Sequence, residues 1–452
     1  MTMNDGNQTD PVTTMPRDPS QQVYWFRHSA PYIHAYRGRT VVILMPGEVL
    51  ADKKRMSTIV QDIALLSSLG LKLVVAYGAR PQIDERLNQC GLPVKLHHGL
   101  RITGTEELSC VTEVVGRLRS ELEARLSMGL ASSPMHGAAL QVSSGNFVVA
   151  RPVGVVDGLD MCHTGLVRKV HAESIHKHLS MGHIVLLPTV GYSPTGEIFN
   201  LSCEDVASSA AVALKADKLI LLGQEQGVFN PDGQLLREIS LAQALQQLEF
   251  IDKGSEQRRR LFSVCRAVQN GVSRAHLVSY HQDGALLHEL FTRDGVGTLV
   301  TDESYDEIRP ATIDDVGGIL ALIRPLEEQG VLVRRSRELL EREIGNFIVD
   351  DRDGAIIACA ALYIFPEENC AELACVAVRP SYARQGRGDK LLAGAEKRAR
   401  DAGMKELFVL TTQTSHWFIE RGFKPATVGQ LPVAKQNMYN LQRNSKVFIK
   451  SL

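Results

Sequence analysis

The sequence predicts an α/β protein that has a parallel sheet covered by helices in its N-terminal part and a smaller α+β unit at its C-terminal end. Short apolar runs alternate with longer amphipathic stretches over residues 23–300, which is the pattern of a parallel sheet with helices on its faces. The acidic stretch TDESYDEI at residues 301–308 has no apolar period and is predicted to be a linker. A new pattern of helix and strands follows over residues 309–452.

Composition limits the classes of protein that this chain can belong to. It has 452 residues, 44% of them hydrophobic, with Lys+Arg 50 against Asp+Glu 51. This length suggests two or three domains with substantial cores. The near-neutral charge argues against nucleic acid and anionic membrane as partners and favours small molecules. No apolar run is long enough to span a bilayer, so no membrane association is expected.

Residues 1–22 are polar and contain no apolar segment of the kind found in secretory signals, so a flexible tail and a cytoplasmic protein are expected. The eight cysteines lack CxxC spacing. Scattered single thiols with apolar neighbours are typical of reduced core residues, so neither a metal site nor a disulfide framework is predicted.

The N-terminal elements follow in order. VVILM at Val41–Met45 predicts a buried strand, residues 52–69 have helical spacing, and LKLVVAY from Leu71 predicts a second strand. The same sequence of elements returns with a strand from Ile184, a helix over residues 203–215, strands at KLILLG and HLVSY, and a turn at residues 230–233.

The C-terminal elements are a helix, several strands, a second helix and a further strand. Strands are predicted at residues 347–349, 355–363 and 371–378, a helix at residues 389–402, and a strand at ELFVLTT. This order indicates a compact α+β unit.

A loop of sequence RQGRG, residues 384–388, separates the strand that runs into Pro380 from the helix near Asp389. Free N–H groups converge where a loop opens a helix, which favours anion binding. Gly386 and Gly388 would let the backbone approach a phosphate, and Arg384 and Arg387 would add charge. An ordinary strand-to-helix turn can have the same local sequence.

The order of strand, proline, basic glycine loop, helix, strand and the later Arg421-Gly422-Phe423 resembles the Gcn5-related N-acetyltransferase (GNAT) family. Five segments make the resemblance closer, to the N-acetylglutamate synthase family: PLEEQGVLVRRSRE, ACAALYIFPEE, ELACVAVRP, LFVLTTQTSHWFIERGF and RNSKV. The resemblance implies acetyl-CoA and L-glutamate as substrates and N-acetyl-L-glutamate and CoA as products, in the first step of arginine biosynthesis. The residues that it implies for acetyl-CoA are Val376, Val378, Arg384, Gln385, Gly386, Arg387, Gly388 and Asp389.

Two positions depart from the GNAT pattern. Ala383 replaces the Arg or Gln that usually opens the loop, and Phe418 replaces the tyrosine that many members use as general acid. Phosphate binding relies mostly on backbone amides, so the first change matters little. The second leaves the proton donor open, and Thr411 is the residue that we expect to fill this role.

Amine acetylation needs a base close to the acetyl carbonyl. Glu372 lies on the strand expected to pair with the pantetheine arm and, at a period of two, would share a face with Ala374 and Val376. Base or water relay is the favoured role, and a structural ion pair is the alternative. The N–H groups of Cys375 and Val376 are expected to hold the acetyl oxygen. Cys375 could instead form an acetyl-enzyme, but direct transfer is preferred.

A dicarboxylate substrate favours arginine forks, which bind carboxylates bidentately. The resemblance implies Arg334 and Arg443, together with Ser445 and the backbone of Cys375, as the glutamate site. Arg335 is an adjacent alternative that the sequence leaves open.

Residues 23–300 resemble the amino acid kinase family, through VVILMPGEVL, VVAYGARPQID, GYSPTGEIFNLSCEDVASSAAVALKADKLILL and RLFSVCRAVQNGVSRAHLVS. The resemblance implies the fold but not the activity. Leu44 stands where the family has a phosphate-binding lysine, and Pro46 replaces a glycine. Arg260 and Glu204 replace a second lysine and an aspartate. Phosphoryl transfer depends on positive charge around the moving phosphate, so kinase activity is not expected.

The resemblance implies that the N-terminal part is a regulatory module that binds L-arginine through His276, Glu289 and Gly295, with Glu289 facing the guanidinium. It also implies a homo-oligomer, with a hexamer expected. Three alternatives stay open: a bifunctional synthase and kinase, an acetyltransferase for another amine, and a sensor without catalysis. Leu44 opposes the first, and Glu372, the glycine loop and Arg443 oppose the last.

Overall fold

The computed structural model describes residues 19–127, 140–230, 232–252, 254–292, 294–302, 307–352, 355–383, 386–437 and 445–452. The chain divides into an N-terminal unit, Met1–Glu303, and a C-terminal unit, Ser304–Leu452. No helix in these ranges is long and apolar enough to cross a membrane.

The N-terminal unit contains ten described helices: α1 (Pro19–Tyr36), α2 (Gly47–Ala51), α3 (Lys53–Ser68), α4 (Arg80–Gln89), α5 (Thr105–Ser127), α6 (Ala172–Ser180), α7 (Cys203–Leu214), α8 (Leu241–Gln247), α9 (Glu256–Gln269) and α10 (Ala285–Phe291). Its described strands are β1 (Thr40–Met45), β2 (Lys72–Tyr77), β3 (Leu96–His97), β4 (Leu100–Arg101), β5 (Val142–Ser144), β6 (Val148–Pro152), β7 (Val155–Val156), β8 (Leu159–Asp160), β9 (Gly165–Val170), β10 (Ile184–Leu187), β11 (Val190–Tyr192), β12 (Ile198–Asn200), β13 (Lys218–Gly223), β14 (Val228–Phe229), β15 (Leu235–Leu236), β16 (Glu238–Ser240), β17 (Ala275–Ser279) and β18 (Thr298–Thr301).

The main sheet of this unit has eight strands in the order β16-β18-β17-β13-β1-β2-β10-β5. All neighbouring pairs are parallel except β17 with β18, so the predicted parallel sheet has one antiparallel step near its edge. Side chains of β1 alternate between two buried apolar clusters: Ile43 packs with α3, α4, α5 and α10, and Leu44 packs with α7 and α9. The unit is therefore a sheet with helices on both faces, as predicted.

The C-terminal unit contains the described helices α11 (Val316–Glu328), α12 (Arg337–Glu343), α13 (Arg387–Asp401), α14 (Ser415–Ile419) and α15 (Val433–Asn437). Its described strands are β19 (Glu307–Pro310), β20 (Phe347–Arg352), β21 (Ala355–Phe365), β22 (Cys370–Val378), β23 (Glu406–Thr411), β24 (Lys424–Ala426) and β25 (Lys446–Ser451). They form one sheet in the order β19-β20-β21-β22-β23-β25-β24, in which β22 and β23 are parallel and the other neighbours antiparallel. Helix α13 packs on one face, and α11 and α12 pack on the other.

Three boundaries differ from the sequence predictions. Helix α1 begins at Pro19, inside the segment predicted as a tail. Ser29 and Tyr36, in its C-terminal half, are buried and anchor it. Residues 1–18 lie outside the described ranges. The predicted linker is shorter, because Thr301 ends β18 and Ile308 pairs with β20.

All eight cysteines are free thiols. The prediction that they are core residues is wrong for Cys90 and Cys162, which are exposed. Cys162 forms an isolated bridge with Thr103 and has a positive φ of 52°.

Candidate active site

A β-bulge in the middle of β22 organises the C-terminal site. Ala361 pairs with Ala374 and Cys359 pairs with Ala377, so Cys375 and Val376 together face the single residue Ala360. Cys375 has a φ of +52°, which is unusual for a residue with a Cβ atom. A bulge leaves one residue without its ladder partner and re-aims the N–H groups around it.

The bulge also reverses the alternation of side chains along β22. Ala374 and Cys375 both pack toward α11, while Val376 and Val378 pack with the α13 face. The prediction that Glu372, Ala374 and Val376 share one face is therefore wrong for Val376, because a period of two does not continue through an extra residue.

The pairing of the parallel strands β22 and β23 ends just before the bulge. Their described pairing runs from Cys370 with Glu406 to Leu373 with Val409 and ends there. The segment 374–378 therefore presents a strand edge toward the gap between the two strands. An extended group with amide N–H and C=O can bind such an edge as an additional strand.

Glu372 is a buried carboxylate at the base of this gap and is 5% exposed. Its Oε2 lies 2.6 Å from Lys435 Nζ, and Tyr363 stands opposite it on β21. The Lys435 ammonium also lies 5.3 Å from the centroid of the Tyr363 ring. The geometry is therefore compatible with both roles considered for Glu372, the base in an apolar strand and the structural ion pair.

Arg335, and not Arg334, belongs to the same cluster. Arg334 is exposed. The Arg335 backbone N–H donates to Glu327, and its guanidinium is half-buried close to Cys375 and Tyr363. Burial acts to lower the pKa of Arg335, but Cys375 and Tyr363 outweigh it and raise the pKa. Of the two arginines that the sequence left open, Arg335 is the one near the bulge.

The Cys375 thiol contacts the Cys359 thiol, and this contact, followed by the charge of Arg335, lowers the pKa of Cys375. The same contact, followed by burial, raises the pKa of Cys359 well above its ordinary value. The Cys359 thiol also donates to the Cys375 carbonyl oxygen at 3.8 Å. These contacts stabilise the unusual backbone of the bulge.

Thr411 ends β23 on the other side of the gap and is buried. Its Oγ1 lies 2.9 Å from Thr414 Oγ1 and accepts a hydrogen bond from the Thr414 N–H. Because Thr411 pairs with Lys446 on β25, Ser445 lies beside the same strand end. Arg443 lies outside the described residues.

The glycine loop has a different internal arrangement from the one predicted. Arg384 and Gln385 lie outside the described residues. Gly386 precedes α13 with a φ of +74°, which suits a glycine. Arg387 is buried, and its Nη1 lies 3.3 Å from the fully buried Asp350, so the prediction that its side chain adds charge at a phosphate site is wrong.

Gly388 and Asp389 also have local packing roles. A Cβ atom on Gly388 would lie 2.9 Å from the Trp417 ring, so this glycine makes room for an aromatic side chain. The Asp389 carboxylate is engaged by Arg421, which lowers the pKa of Asp389. The groups in this loop that can bind an anion are therefore the backbone N–H groups at the start of α13.

The structure brings together the three residues expected at an arginine site in the N-terminal unit. His276 Nδ1 lies 2.5 Å from Glu289 Oε1, while Glu289 Oε2 accepts from the N–H groups of Val296 (2.7 Å) and Gly297 (3.0 Å). Glu289 is 5% exposed. Its two oxygens are bound by His276 and by the loop at Gly295, and the expectation that this carboxylate faces a guanidinium stays a prediction.

The region that resembles a kinase site contains several ion pairs that involve residues lining it. Leu44 is fully buried, and Arg260 is held by Glu225 (2.8 Å) and Glu256 (3.2 Å). The Arg260 guanidinium lies against Gly223, where even a Cβ atom would overlap it. For Glu204, burial opposes ionisation, but Ser202 and Arg259 outweigh it and lower the pKa.

Comparison with known proteins places both units in families. The amino acid kinase family model matches residues 39–279, and the acetyltransferase (GNAT) family model matches residues 318–423. The chain is similar to the amino-acid acetyltransferase of Azotobacter vinelandii, with 55% identity covering 95% of this chain and 99% of that protein. It is also similar to that of Pseudomonas syringae pv. tomato, with 54% identity covering 96% of this chain and 100% of that protein.

Among solved structures, N-acetylglutamate synthase from Neisseria gonorrhoeae is 39% identical and matches over 95% of this chain and 99% of its own. The TM-score is 0.84 for its complex with coenzyme A and L-arginine and 0.61 for its complex with coenzyme A and N-acetyl-glutamate. The fold and the site define a GNAT acetyltransferase that follows an amino acid kinase fold. The chain belongs to the N-acetylglutamate synthase family of amino-acid acetyltransferases.

Sequence reasoning did not find Lys435, Tyr363 and Glu343, which complete the polar cluster around Glu372. The Tyr363 hydroxyl donates to Glu343 at 2.8 Å, and burial followed by this hydrogen bond raises the pKa of Tyr363. Tyr363 could have been found from its position on β21 once the register with β22 was known. Lys435 is on a short, separate helix, and nothing in its local sequence distinguishes it from a surface lysine.

Proposed function

We propose that the C-terminal unit transfers the acetyl group of acetyl-CoA to the α-amino group of L-glutamate, giving N-acetyl-L-glutamate and CoA, and that this is the first step of arginine biosynthesis. The observation that carries the proposal is the bulged strand β22, which sets the buried Glu372 beside an open strand edge. The Neisseria relative, with coenzyme A and N-acetyl-glutamate bound, supports the choice of substrates.

In this mechanism the pantetheine arm pairs with the edge at residues 374–378 and the pyrophosphate binds the N–H groups at the start of α13. Glu372 accepts a proton from the glutamate ammonium, through Oε1 or through a water, while Lys435 holds Oε2. The freed amine nitrogen attacks the thioester carbon. The N–H groups at Cys375 and Val376 stabilise the oxyanion.

The C–S bond then breaks, the sulfur leaves as a thiolate, and the attacking nitrogen gives up its remaining extra proton to form the amide. Thr411, at the opposite side of the gap, is the group that we assign to relay a proton to the thiolate, taking one up from water as it does so. Direct transfer is preferred to an acetyl-enzyme on Cys375, because this thiol is buried against Cys359 and its contacts serve the bulge.

The experiment that tests the function is an assay of CoA thiol release with the full chain, acetyl-CoA and a set of amines. We expect release with L-glutamate and little with L-aspartate, L-glutamine or a lysine peptide. Release with any of these and none with L-glutamate would refute the assignment and favour an acetyltransferase for another amine. A parallel arm with ATP and N-acetyl-L-glutamate tests the bifunctional alternative, for which the ion pairs around Arg260 predict no ADP formation.

The two neighbouring arginines give a sharper test of the glutamate site. Arg335→Ala should raise KM for L-glutamate about ten- to a hundredfold, the loss of one charge-assisted carboxylate contact, and leave KM for acetyl-CoA unchanged. Arg334→Ala, the exposed neighbour, is the matched control and should change neither constant. Equal effects of the two substitutions on KM for L-glutamate, or an effect of Arg334→Ala alone, would contradict the choice of Arg335 and favour Arg334 as the glutamate-binding residue.

We further propose that L-arginine binds the N-terminal unit at the loop held by Glu289 and regulates acetyl transfer. The Neisseria relative, complexed with L-arginine, supports this. In this proposal Glu289 shapes the loop at Gly295 and His276, and the ligand meets that loop. We also propose a homo-oligomer, with a hexamer expected from the kinase-fold relatives, and a cytoplasmic location, in line with eight free thiols.

A further inference from the structure

A cavity in the N-terminal unit lies at the carboxyl ends of two parallel strands, and the loop at Gly295 does not line it. It has a volume of about 330 Å³ and lies between α3 and the loop that joins β17 to α10. Leu222 and Ser279 line it from the ends of β13 and β17. The crevice beyond the carboxyl ends of parallel strands is where ligands of open α/β sheets bind, and the volume suits a small molecule.

One carboxylate in this cavity has no partner. Asp62, in the middle of α3, is 8% exposed and lines the cavity. Within the described part of the chain it makes no hydrogen bond and no ion pair. Burying a carboxylate without a partner is costly. Burial raises the pKa of Asp62 to about 7, and the negative charge of Asp283 adds to this increase.

The charged side chains that line the cavity are Asp52, Lys54, Arg55, Asp62 and Asp283. Asp62 and Asp283 face the cavity from α3 and from the loop, and their mutual repulsion would be relieved by a positive charge. Lys54 and Arg55 line the same cavity at the N-terminal end of α3. The Arg55 guanidinium lies 5.4 Å from the centroid of the Tyr280 ring and 3.6 Å from the carboxylate of Asp52, which also lines the cavity.

We propose that this cavity binds an amino acid with a cationic side chain, whose side-chain ammonium pairs with Asp62 and Asp283 and whose carboxylate pairs with Lys54 and Arg55. The ammonium supplies the partner that Asp62 lacks, and the ligand's negative end meets the two cations. An alkyl chain between the two ends spans the apolar wall that Leu222 and Leu286 form.

The test is calorimetric titration of the full chain at about pH 8, where Asp62 is ionised, with three probes. L-lysine has both charged ends, L-norleucine is a near isostere without the side-chain ammonium, and cadaverine lacks the carboxylate. We expect L-lysine to bind, cadaverine to bind more weakly, and L-norleucine not to bind. Absence of heat with L-lysine, or equal binding of L-norleucine, would overturn the proposal.

The variant Asp62→Asn should weaken L-lysine binding by about ten- to a hundredfold, because the charge-assisted contact is lost. Asp232→Asn, an exposed carboxylate of the same unit, is the matched control and should bind as the unmodified chain does. Asp62→Asn removes an unpaired buried charge and should not lower the thermal midpoint, so failure to fold is not the expected result. Equal L-lysine binding by Asp62→Asn and the unmodified chain would place the ligand elsewhere and overturn the assignment.

Discussion

Replacing Glu372 by glutamine is expected to lower kcat for acetyl transfer by about 10² to 10⁴, the range that a positioned general base contributes. Glutamine keeps the size and hydrogen-bonding shape of the side chain but cannot accept the ammonium proton. Glu372 is buried at the end of the pairing between β22 and β23, so bulk water has little access to replace it. The measurement is the steady-state rate of thiol release with L-glutamate saturating.

A second measurement is needed because Glu372 is ion-paired with Lys435. If its role were only structural, replacing it could also lower activity. If Glu372 is the base, the rise of kcat/KM with pH should be lost in Glu372→Gln. The thermal midpoint of Glu372→Gln should then fall no further than that of Lys435→Met, which breaks the same ion pair. Glu406→Gln, an exposed carboxylate on the adjacent strand β23, is the matched control and should keep the native rate and profile. A native pH profile in Glu372→Gln, with reduced stability alone, would leave only the structural ion pair.

The sequence predicted most elements of the C-terminal sheet because their apolar periods are local. The bulge at Cys375 could not be predicted in this way. It consists of one extra residue relative to β21, and the register between two strands cannot be derived from the sequence of either strand alone. Its effect reaches the site directly, since it separates Val376 from the face of Glu372 and Ala374.

Arg387 shows a second limit. In the sequence it is one of two basic residues in a glycine loop, and charge in such a loop predicts contact with phosphate. In the structure it is the first residue of α13 and turns back to the sheet, where Asp350 is fully buried. A buried carboxylate requires a partner, and the loop supplies it. The sequence gives the charge of each residue but not which buried opposite charge lies nearest.

The substitution Glu289→Ala should destabilise the N-terminal unit by several kcal/mol, because each buried donor left without its acceptor costs about 1–3 kcal/mol. Alanine would leave His276 and the N–H groups of Val296 and Gly297 without an acceptor. Glu173→Ala is the matched control. Its carboxylate is 89% exposed and lies 3.7 Å from Lys177, so its loss should cost no more than about 0.5 kcal/mol.

The pH dependence of this contribution has a defined sign. Burial opposes ionisation of Glu289, but His276 and the two backbone N–H groups outweigh it and lower its pKa to about 2, below the ordinary 4.5. A carboxylate with a depressed folded-state pKa stabilises the fold above its unfolded pKa and loses that contribution as pH falls toward the folded value. The contribution of Glu289 ionisation to the difference in free energy of unfolding between Glu289→Ala and Glu173→Ala should therefore be complete above about pH 4.5 and decrease as pH falls toward 2. His276, whose pKa is lowered by burial, adds its own pH dependence below 6.5.

Hydrogen exchange of the segment around Val296 measures this locally, because both amides that Glu289 binds lie there. Exchange should quicken in Glu289→Ala and stay native in Glu173→Ala. If the loop at Gly295 is also where arginine binds, the same variant should lose the arginine response while its basal acetyl transfer persists, since the substitution lies in a different unit from Glu372. Native exchange in Glu289→Ala would mean that the carboxylate does not order the loop, and its contribution to stability would then have to come from His276 alone.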